Sequence, residues 1–475
     1  MKTFAIILCL FILQMAFILF MEFRRPQRTV AWMFISICCP PLGLLFYYFF
    51  GRDYRQTQQL DKRKISLLRE VREHVENRSL VVKKPEDTGN PEFEHQREFL
   101  LLLSRLTDSP ITGGNQSTVL SSGMEAYEAM LEAMECAKEH IHVEFYIFSE
   151  DKIGERFQEV MIRKARQGVK VRLLCDGLGS YKLSRGFIQA FKKGGVEFHF
   201  FLPPFISLLE RRFNYRNHRK IVIVDGIISF TGGMNVGKDY LGEGPSIDCW
   251  RDTQLKLAGD AVYYIQFVFL KDWGLATGER LSHPRLFPVH TCKGTEAVKI
   301  VESAPNGAID ASEEIYFASM CAAKRRIWLT TPYFIPDPAI CRALKSAVLR
   351  GVEVRIIIPG KPDNWVVYYA TLSYLEDLQA AGVKFYRYKG FMHAKVMIVD
   401  ELISTVGSAN LDMRSLYSNF ELTAVLMDPD RISELAKEFE NDLKHSEYVD
   451  PKDFVKRNRF MRMRENLCKL LSPLL

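Results

Sequence analysis

Two stretches, NHRKIVIVDGIISFTGGMN (217–235) and MHAKVMIVDELISTVGSAN (392–410), are one pattern written twice. Each carries HxKxxxxDxxxxxxG(G/S)xN: His218, Lys220, Asp225, Gly232, Gly233 and Asn235 in the first, His393, Lys395, Asp400, Gly407, Ser408 and Asn410 in the second. At roughly one chance in twenty per fixed position, two such matches do not arise by accident. Outward from them the repeat continues. GVKVRLL (168–174) matches GVEVRII (351–357), KGGVEFHFF (193–201) matches QAAGVKFYRY (379–388), and IHVEFYIF (141–148) matches the weaker WLTTPYFI (328–335). The order is the same in both halves, with an insertion before His218. Short β-branched runs such as VKVRLLCD and VEVRIIIP are apolar on both faces, as strands covered by helices on both sides are. The stripe Met130, Ala133, Met134 and Ala137 has helical spacing and reads as core packing. These features predict an α/β fold of two duplicated units packed as a pseudo-dimer, with a site between them.

Residues two apart in a strand share a face, so His218 with Lys220, and His393 with Lys395, can address one ligand. Asp225 and Asp400 sit at odd offsets and read as structural or supporting groups. The Gly-Gly and Gly-Ser pairs permit close backbone approach to a phosphate. A single HxK would fit a partly exposed strand equally well. A metal site fits poorly, because a cation beside each histidine repels a metal and no further Cys, His or carboxylate cluster accompanies them. Two histidines and two lysines in one cleft suit a phosphodiester: the lysines neutralise phosphoryl oxygens, one histidine attacks phosphorus and the other shuttles the proton. Such chemistry needs no cofactor.

The chain has 475 residues, 25% charged and 47% hydrophobic, and a net charge of +7, which fits a folded protein of two or three cores and excludes a disordered one. Thr3 to Met21 carries no charge. Arg24, Arg25 and Arg28 follow, and Thr29 to Gly51 is uncharged again. Each run is long enough to cross a membrane, and two transmembrane helices are the expectation, with Pro40 and Pro41 kinking the second. A cleaved signal peptide is the competing reading of the first run, which is too long for one and lacks a small-residue cleavage site. Two spans put the amino terminus and the main body on one side, and Arg52, Arg55, Lys62, Arg63, Lys64 and Arg69 favour the cytoplasm. Residues 1–56 thus read as a membrane anchor and 57–94 as a linker, punctuated by VVKKPEDTGNPEFE (81–94). Residues 95–290 and 291–475 read as the two units. The second ends in a basic, amphipathic stretch (Lys452, Lys456, Arg457, Arg459, Arg462, Arg464, Lys469) that suits an anionic membrane surface or, equally, a solvated helix. Ten scattered cysteines form no metal or disulfide pattern, as in a reducing compartment.

The paired motif resembles the phospholipase D superfamily, and the whole chain resembles the bacterial cardiolipin synthases. The likeness includes PPLGLLFYYFFGR (40–52), NYRNHRKIVIVDG (214–226), WRDTQLKLAG (250–259), TPYFIPD (331–337), RSLYSNFE (414–421) and the terminal LSPLL. It implies phospholipase D-like units and an active-site set of His218, Lys220, Asp225, His393, Lys395 and Asp400. It implies too that Asp252 and Glu421 orient the imidazoles and that Asn235 and Asn410 complete the phosphate shell. Superfamily analogy leans to His218 as the nucleophile. The implied reaction is phosphatidyl transfer between two phosphatidylglycerols in the bacterial cell membrane, through a phosphohistidine, giving cardiolipin and glycerol. Its partners are anionic lipids; nucleic acid is not expected, and no protein partner is indicated. Gly233, where many relatives have Ser, and Gln254, where many synthases have His, depart from the pattern. A hydrolytic phospholipase D shares every one of these residues. A superfamily nuclease does not need the spans, and a non-catalytic scaffold does not need two intact motifs.

Overall fold

The structure is a computed structural model that describes residues 2–22, 26–38, 40–51, 75–77, 79–203, 214–244, 249–289, 291–305, 307, 309–455 and 457–474. Its body is a duplicated α/β unit. The first half contributes β1 (Ile111–Leu120), β2 (His140–Phe145), β3 (Lys170–Asp176), β4 (Glu197–Phe201), β5 (Ile221–Val224), β6 (Ile228–Gly232) and β8 (Gln254–Ala258). The second contributes β9 (Glu296–Ser303), β10 (Arg326–Thr330), β11 (Glu353–Pro359), β12 (Lys384–Tyr388), β14 (Val396–Val399), β15 (Ile403–Gly407) and β16 (Glu421–Leu426), with β17 (Ser446–Tyr448) on its edge. Together they form one ladder, β17-β12-β11-β10-β14-β15-β16-β9-β1-β8-β6-β5-β2-β3-β4, whose two halves mirror each other about the antiparallel β1–β9 pair. Strands β2, β3 and β4 of the first half and β10, β11 and β12 of the second run parallel, joined by helical crossovers, and β17 closes the second edge antiparallel. The IVIV of β5 and VMIV of β14 are buried throughout, as their two-faced apolarity predicts.

The register of the weakest repeat differs from the sequence match by one residue. Ile141 pairs with Val224 and Ile327 with Val399, so Ile141 corresponds to Ile327 and not to Trp328. Both stretches are apolar throughout, which leaves a one-residue slip without a penalty at the level of pattern.

One core mixes both halves: Ile221, Ile223, Leu255 and Leu257 of the first meet Val406, Leu422 and Ala424 of the second. The helix Ala261–Thr277 is buried in the same core through Phe269 and Trp273. The described part of the stretch read as a linker is docked on both halves: Leu80 N donates to Asp260 Oδ2 (2.7 Å) and Val81 bridges Thr112 in the first, while residues 90–93 meet the second. Asn90 Nδ2 donates to the carbonyls of Glu401 (2.8 Å), Leu402 (3.2 Å) and Met427 (2.8 Å), and Phe93 is fully buried.

At the amino terminus lie α1 (Lys2–Glu22), α2 (Pro26–Cys38) and α3 (Pro40–Phe50). The second uncharged run is therefore not the single kinked helix expected from its length. Two successive prolines lack the N–H groups that would continue α2. Gly43 then packs so closely on α2 that a Cβ there would stand 2.5 Å from Ser36 Cα. The chain turns back: Arg28 Nη2 donates to Gly51 O (3.0 Å), and Tyr47 Oη donates to Glu22 Oε1 (3.3 Å). Among the described residues, no helix is long and apolar enough to cross a membrane. The basic residues Arg52 to Arg69, Arg24, Arg25 and Lys456 lie outside the described residues.

Candidate active site

Each histidine lies just before a hairpin, where its chain crosses to the other half. Asn217 bridges Phe420 in parallel, and His218 N donates to Phe420 O (2.9 Å). Reciprocally, β13 (Phe391–Met392) pairs in parallel with β7 (Trp250–Arg251), and His393 N donates to Arg251 O (2.7 Å). The residues that follow Phe420 and Arg251 are Glu421 and Asp252, so each imidazole meets a carboxylate from the opposite half. His218 Nδ1 is 3.1 Å from both Glu421 oxygens and 3.1 Å from Ser408 O, while His393 Nδ1 is 2.6 Å from Asp252 Oδ2. Among the described residues the hydrogen-bond partners of both rings are at Nδ1, which leaves Nε2 as the atom a reacting phosphorus or alcohol would meet.

The lysines brace the same turns. Lys220 Nζ donates to His218 O and Lys395 Nζ to His393 O, each at 2.5 Å, and Lys395 Nζ is also 3.0 Å from His393 Nδ1. Burial pushes Lys220 down to about 7 and Lys395 down to about 8, against the opposing pull of Glu421 and Asp252. Burial and then the Lys395 charge press His393 down to about 3; burial also lowers His218, with Glu421 opposing it. Burial alone would raise Glu421, yet His218 and Lys220 hold it below its ordinary value. The charges of Lys220 and Lys395 act on each other and on both histidines, so the four groups share one centre. A buried, mutually repelling set of cations is an anion site.

Around it, Tyr146 stands edge-on to His218 (5.0 Å between centroids), with Lys220 Nζ 5.4 Å from its ring. Tyr240 and Trp250 lie 5.9 and 5.1 Å from the His393 ring. Asn235 accepts from Ile147 N (3.0 Å) and donates to Tyr240 Oη (2.6 Å), which makes it a strut under the site. Asn410 is buried beside Asp412. Among the described residues, no group of three or more His, Cys, Asp or Glu side chains is placed to hold a metal.

Asp225 and Asp400 are not brought to the imidazoles. They sit at the far ends of β5 and β14, both left-handed (φ 53° and 51°), where an aspartate is among the tolerated residues. Asp225 accepts from the backbone N–H groups of Lys138, Glu139 and His140 (2.8–2.9 Å), and Asp400 from those of Lys324, Arg325 and Arg326 (2.7–2.8 Å). They pin the starts of β2 and β10, the structural role their odd offset indicates.

The two departures have physical explanations. A Cβ on Gly233 would stand 2.1 Å from Asp252 Oδ1, so glycine is what lets this carboxylate reach His393. In the other half Ser408 Oγ donates instead to Glu421 Oε2 (2.5 Å). Gln254 is fully buried at the start of β8, its Oε1 accepting from Met234 N (3.4 Å). A residue that pattern reading passed over is Arg219, between His218 and Lys220. It is buried, pairs with Asp272, and donates to Glu421 O (3.1 Å) and Ser303 O (3.0 Å), so it holds the strand that carries Glu421. Its only signal was its place inside the motif.

The family described as cardiolipin synthase, PLD-like domain matches residues 130–246 and 316–443, and a phospholipase D-nuclease N-terminal family matches residues 4–52. The chain is 38% identical to a cardiolipin synthase of Halalkalibacterium halodurans, over 100% of this chain and 94% of that one. It is also 38% identical to cardiolipin synthase 2 of Bacillus anthracis, over 96% and 89%. Among solved structures it is similar in fold to phosphatidylserine synthase of Haemophilus influenzae (TM-score 0.62, 13% identity, 80% of this chain and 100% of that chain). Fold, reciprocal site and near-complete likeness agree: the chain belongs to the cardiolipin synthases of the phospholipase D superfamily.

Proposed function

We propose that the protein moves a phosphatidyl group from one phosphatidylglycerol to another, releasing glycerol and forming cardiolipin. The observation that carries this is the crosswise pairing of His218 with Glu421 and His393 with Asp252 around Lys220 and Lys395. Each carboxylate fixes its imidazole with Nε2 free, which is what an attacking nitrogen and a proton shuttle both require. One histidine attacks phosphorus as the other protonates the departing glycerol oxygen. The resulting P–N bond is then broken by a hydroxyl of the second lipid, whose proton passes to the second histidine. Lys220 and Lys395 neutralise the non-bridging oxygens as charge builds on them. Asp225 and Asp400 support the reaction only through the strands they pin.

The likeness to cardiolipin synthases and to the phospholipase D-nuclease N-terminal family supports work at a bilayer. In our reading α1, uncharged from Thr3 to Met21, lies in it, while α2 and α3 enter and leave on one face. The positive-inside rule, applied to the sequence positions Arg24, Arg25, Arg28, Arg52 and Arg55, makes the cytoplasmic face that one.

The test is to incubate the purified, detergent-solubilised protein with labelled phosphatidylglycerol alone and identify products by mass. Cardiolipin and glycerol are expected in equal amounts, with at least about a 10²-fold loss of rate in His218→Ala and in His393→Ala. Phosphatidic acid as the main product would make water the acceptor and overturn the reading.

A further inference from the structure

The two histidines have different surroundings. Strand registers and the paired motif equate Tyr146, Asp176 and Arg216 of the first half with Pro332, Pro359 and Phe391 of the second. Pro332, Pro359 and Phe391 line one cleft together with Ile358, Val367 and Thr371. The cleft is continuous with the reacting centre, because Phe391, itself buried, stacks on the His393 imidazole at 5.8 Å. Its polar side chains are engaged where they stand. Tyr333 Oη donates to Asp363 Oδ2, and Asn364 Oδ1 accepts from Val366 N (2.9 Å) and Val367 N (3.3 Å), capping the helix Trp365–Ala380. The walls therefore offer a ligand mainly hydrocarbon and ring. Prolines at two of the wall positions suit this, since they have no N–H to leave unpaired.

The first turn of that helix adjoins the cleft and carries large apolar side chains in the open. Trp365 is 63% exposed and Val366 39%. The Trp365 ring packs on Tyr368, which lines the cleft (6.0 Å), and on Tyr369 (6.3 Å). Arg464 lies over the rings of both Tyr369 and Phe460, and Phe460 is 62% exposed. Exposed rings thus run from the cleft onto the helix Arg459–Leu470. Trp and Tyr rings of this kind are the side chains that sit where hydrocarbon meets water.

We propose that the cleft is an acyl-chain groove: it takes a hydrocarbon chain of a phosphatidylglycerol whose phosphate lies between the histidines, and the lipid enters past Trp365. The assignment rests on the lipid substrate proposed above. A phosphate held by Lys220 and Lys395 leaves the lipid's glycerol and ester carbons to lie beside one imidazole or the other. On the His218 side they would meet Tyr146, Asp176 and Arg216, and covering a carboxylate and a guanidinium with hydrocarbon is costly. On the His393 side they meet Phe391, Pro332 and Pro359, where the same contact removes apolar surface from water. The groove gives the site a polarity along the molecule that the duplicated fold alone does not have.

The experiment offers the full chain dihexanoyl- and dioleoyl-phosphatidylglycerol in the same detergent solution and counts the consumption of each by mass. The long-to-short ratio is internal to each tube, so it does not depend on how much protein is folded. Filling the groove in Thr371→Phe or in Val367→Trp should lower that ratio about tenfold, the loss of roughly two buried methylenes. Thr371 is buried and Val367 half-buried, so Val367→Trp reads the groove where Thr371→Phe fails to fold. Trp365→Gln changes the rim alone and controls for attachment to the micelle. A ratio unchanged in the filled variants, or lowered no further than in Trp365→Gln, overturns the groove and leaves these rings as a surface contact. Consumption is counted whatever the acceptor, so phosphatidic acid as the product would overturn the transfer reading and leave the groove standing. A wild-type protein that consumes neither lipid overturns both.

Discussion

Lys220 and Lys395 are poised to titrate near neutrality only while the site is empty. Burial lowers them to about 7 and about 8 in the absence of an anion. A bound phosphodiester restores the opposite charge and raises both. The lysines bind the substrate when protonated, so the Kd of His218→Ala protein for phosphatidylglycerol should rise as pH passes from 7 to 8. A Kd unchanged across that range would show that the lysines do not titrate in the free enzyme. Both histidines are pressed below their ordinary value, one acting unprotonated and the other protonated, so both limbs of the kcat/KM profile should lie below about pH 6.5. Much of this centre was legible in the sequence, because the period of a strand puts His and Lys on one face. The partners of the imidazoles were not legible from spacing. Asp252 lies 141 residues from His393 and Glu421 lies 203 from His218. Only the reciprocal crossing of the two halves joins them.

The amino-terminal helices show where hydropathy stops being informative. A run of apolar residues from Thr29 to Gly51 has the length of a span, but length does not say whether the helix continues. Pro40, Pro41 and the close packing of Gly43 on Ser36 decide that it folds back. The consequence is a difference in topology. A second run that folds back puts positions 24 and 52 on one face; a second run that crosses puts them on opposite faces. In a chain freed of its native cysteines, Arg24→Cys and Arg52→Cys should therefore react alike with a membrane-impermeant maleimide added to intact cells. Labelling of one position without the other would restore the second run as a span. The strands of the body were more legible than these helices. β5 and β14 are buried on both faces and bounded by left-handed Asp225 and Asp400, so pattern and turn chemistry agree there.

At the scale of the molecule, the carboxy terminus ties the catalytic body to the amino-terminal helices. The helix Arg459–Leu470 lies on the helix Trp365–Ala380, with Arg464 5.0 Å from the Tyr369 ring, Lys469 4.7 Å from the Tyr374 ring, and Arg457 paired with Glu465 and Glu376. Beyond it the chain turns at Ser472–Leu474, and Leu474 packs against the cluster of Ile18, Trp32 and Tyr47 in the anchor. The same helix leaves Phe460, Met463, Leu467 and Leu470 exposed along one stripe, flanked by arginines and a lysine. Spacing alone divided this segment evenly between a membrane-facing helix and a solvated one; the dock of Leu474 holds it beside α1 to α3, which carry the two apolar runs. With α1 to α3 seated in the bilayer as proposed above, the dock fixes the cleft relative to the lipid surface, whereas a tether alone would let the body rotate. Removing residues 471–475 should therefore lower turnover of phosphatidylglycerol in vesicles about tenfold, through the lost effective concentration of the site at the surface. Turnover of the same lipid dispersed in detergent should stay within about twofold, because the dispersed substrate meets the cleft from any direction. Equal losses in both would mean that the tail stabilises the fold instead, and unchanged rates in both would mean that the anchor orients the body without it.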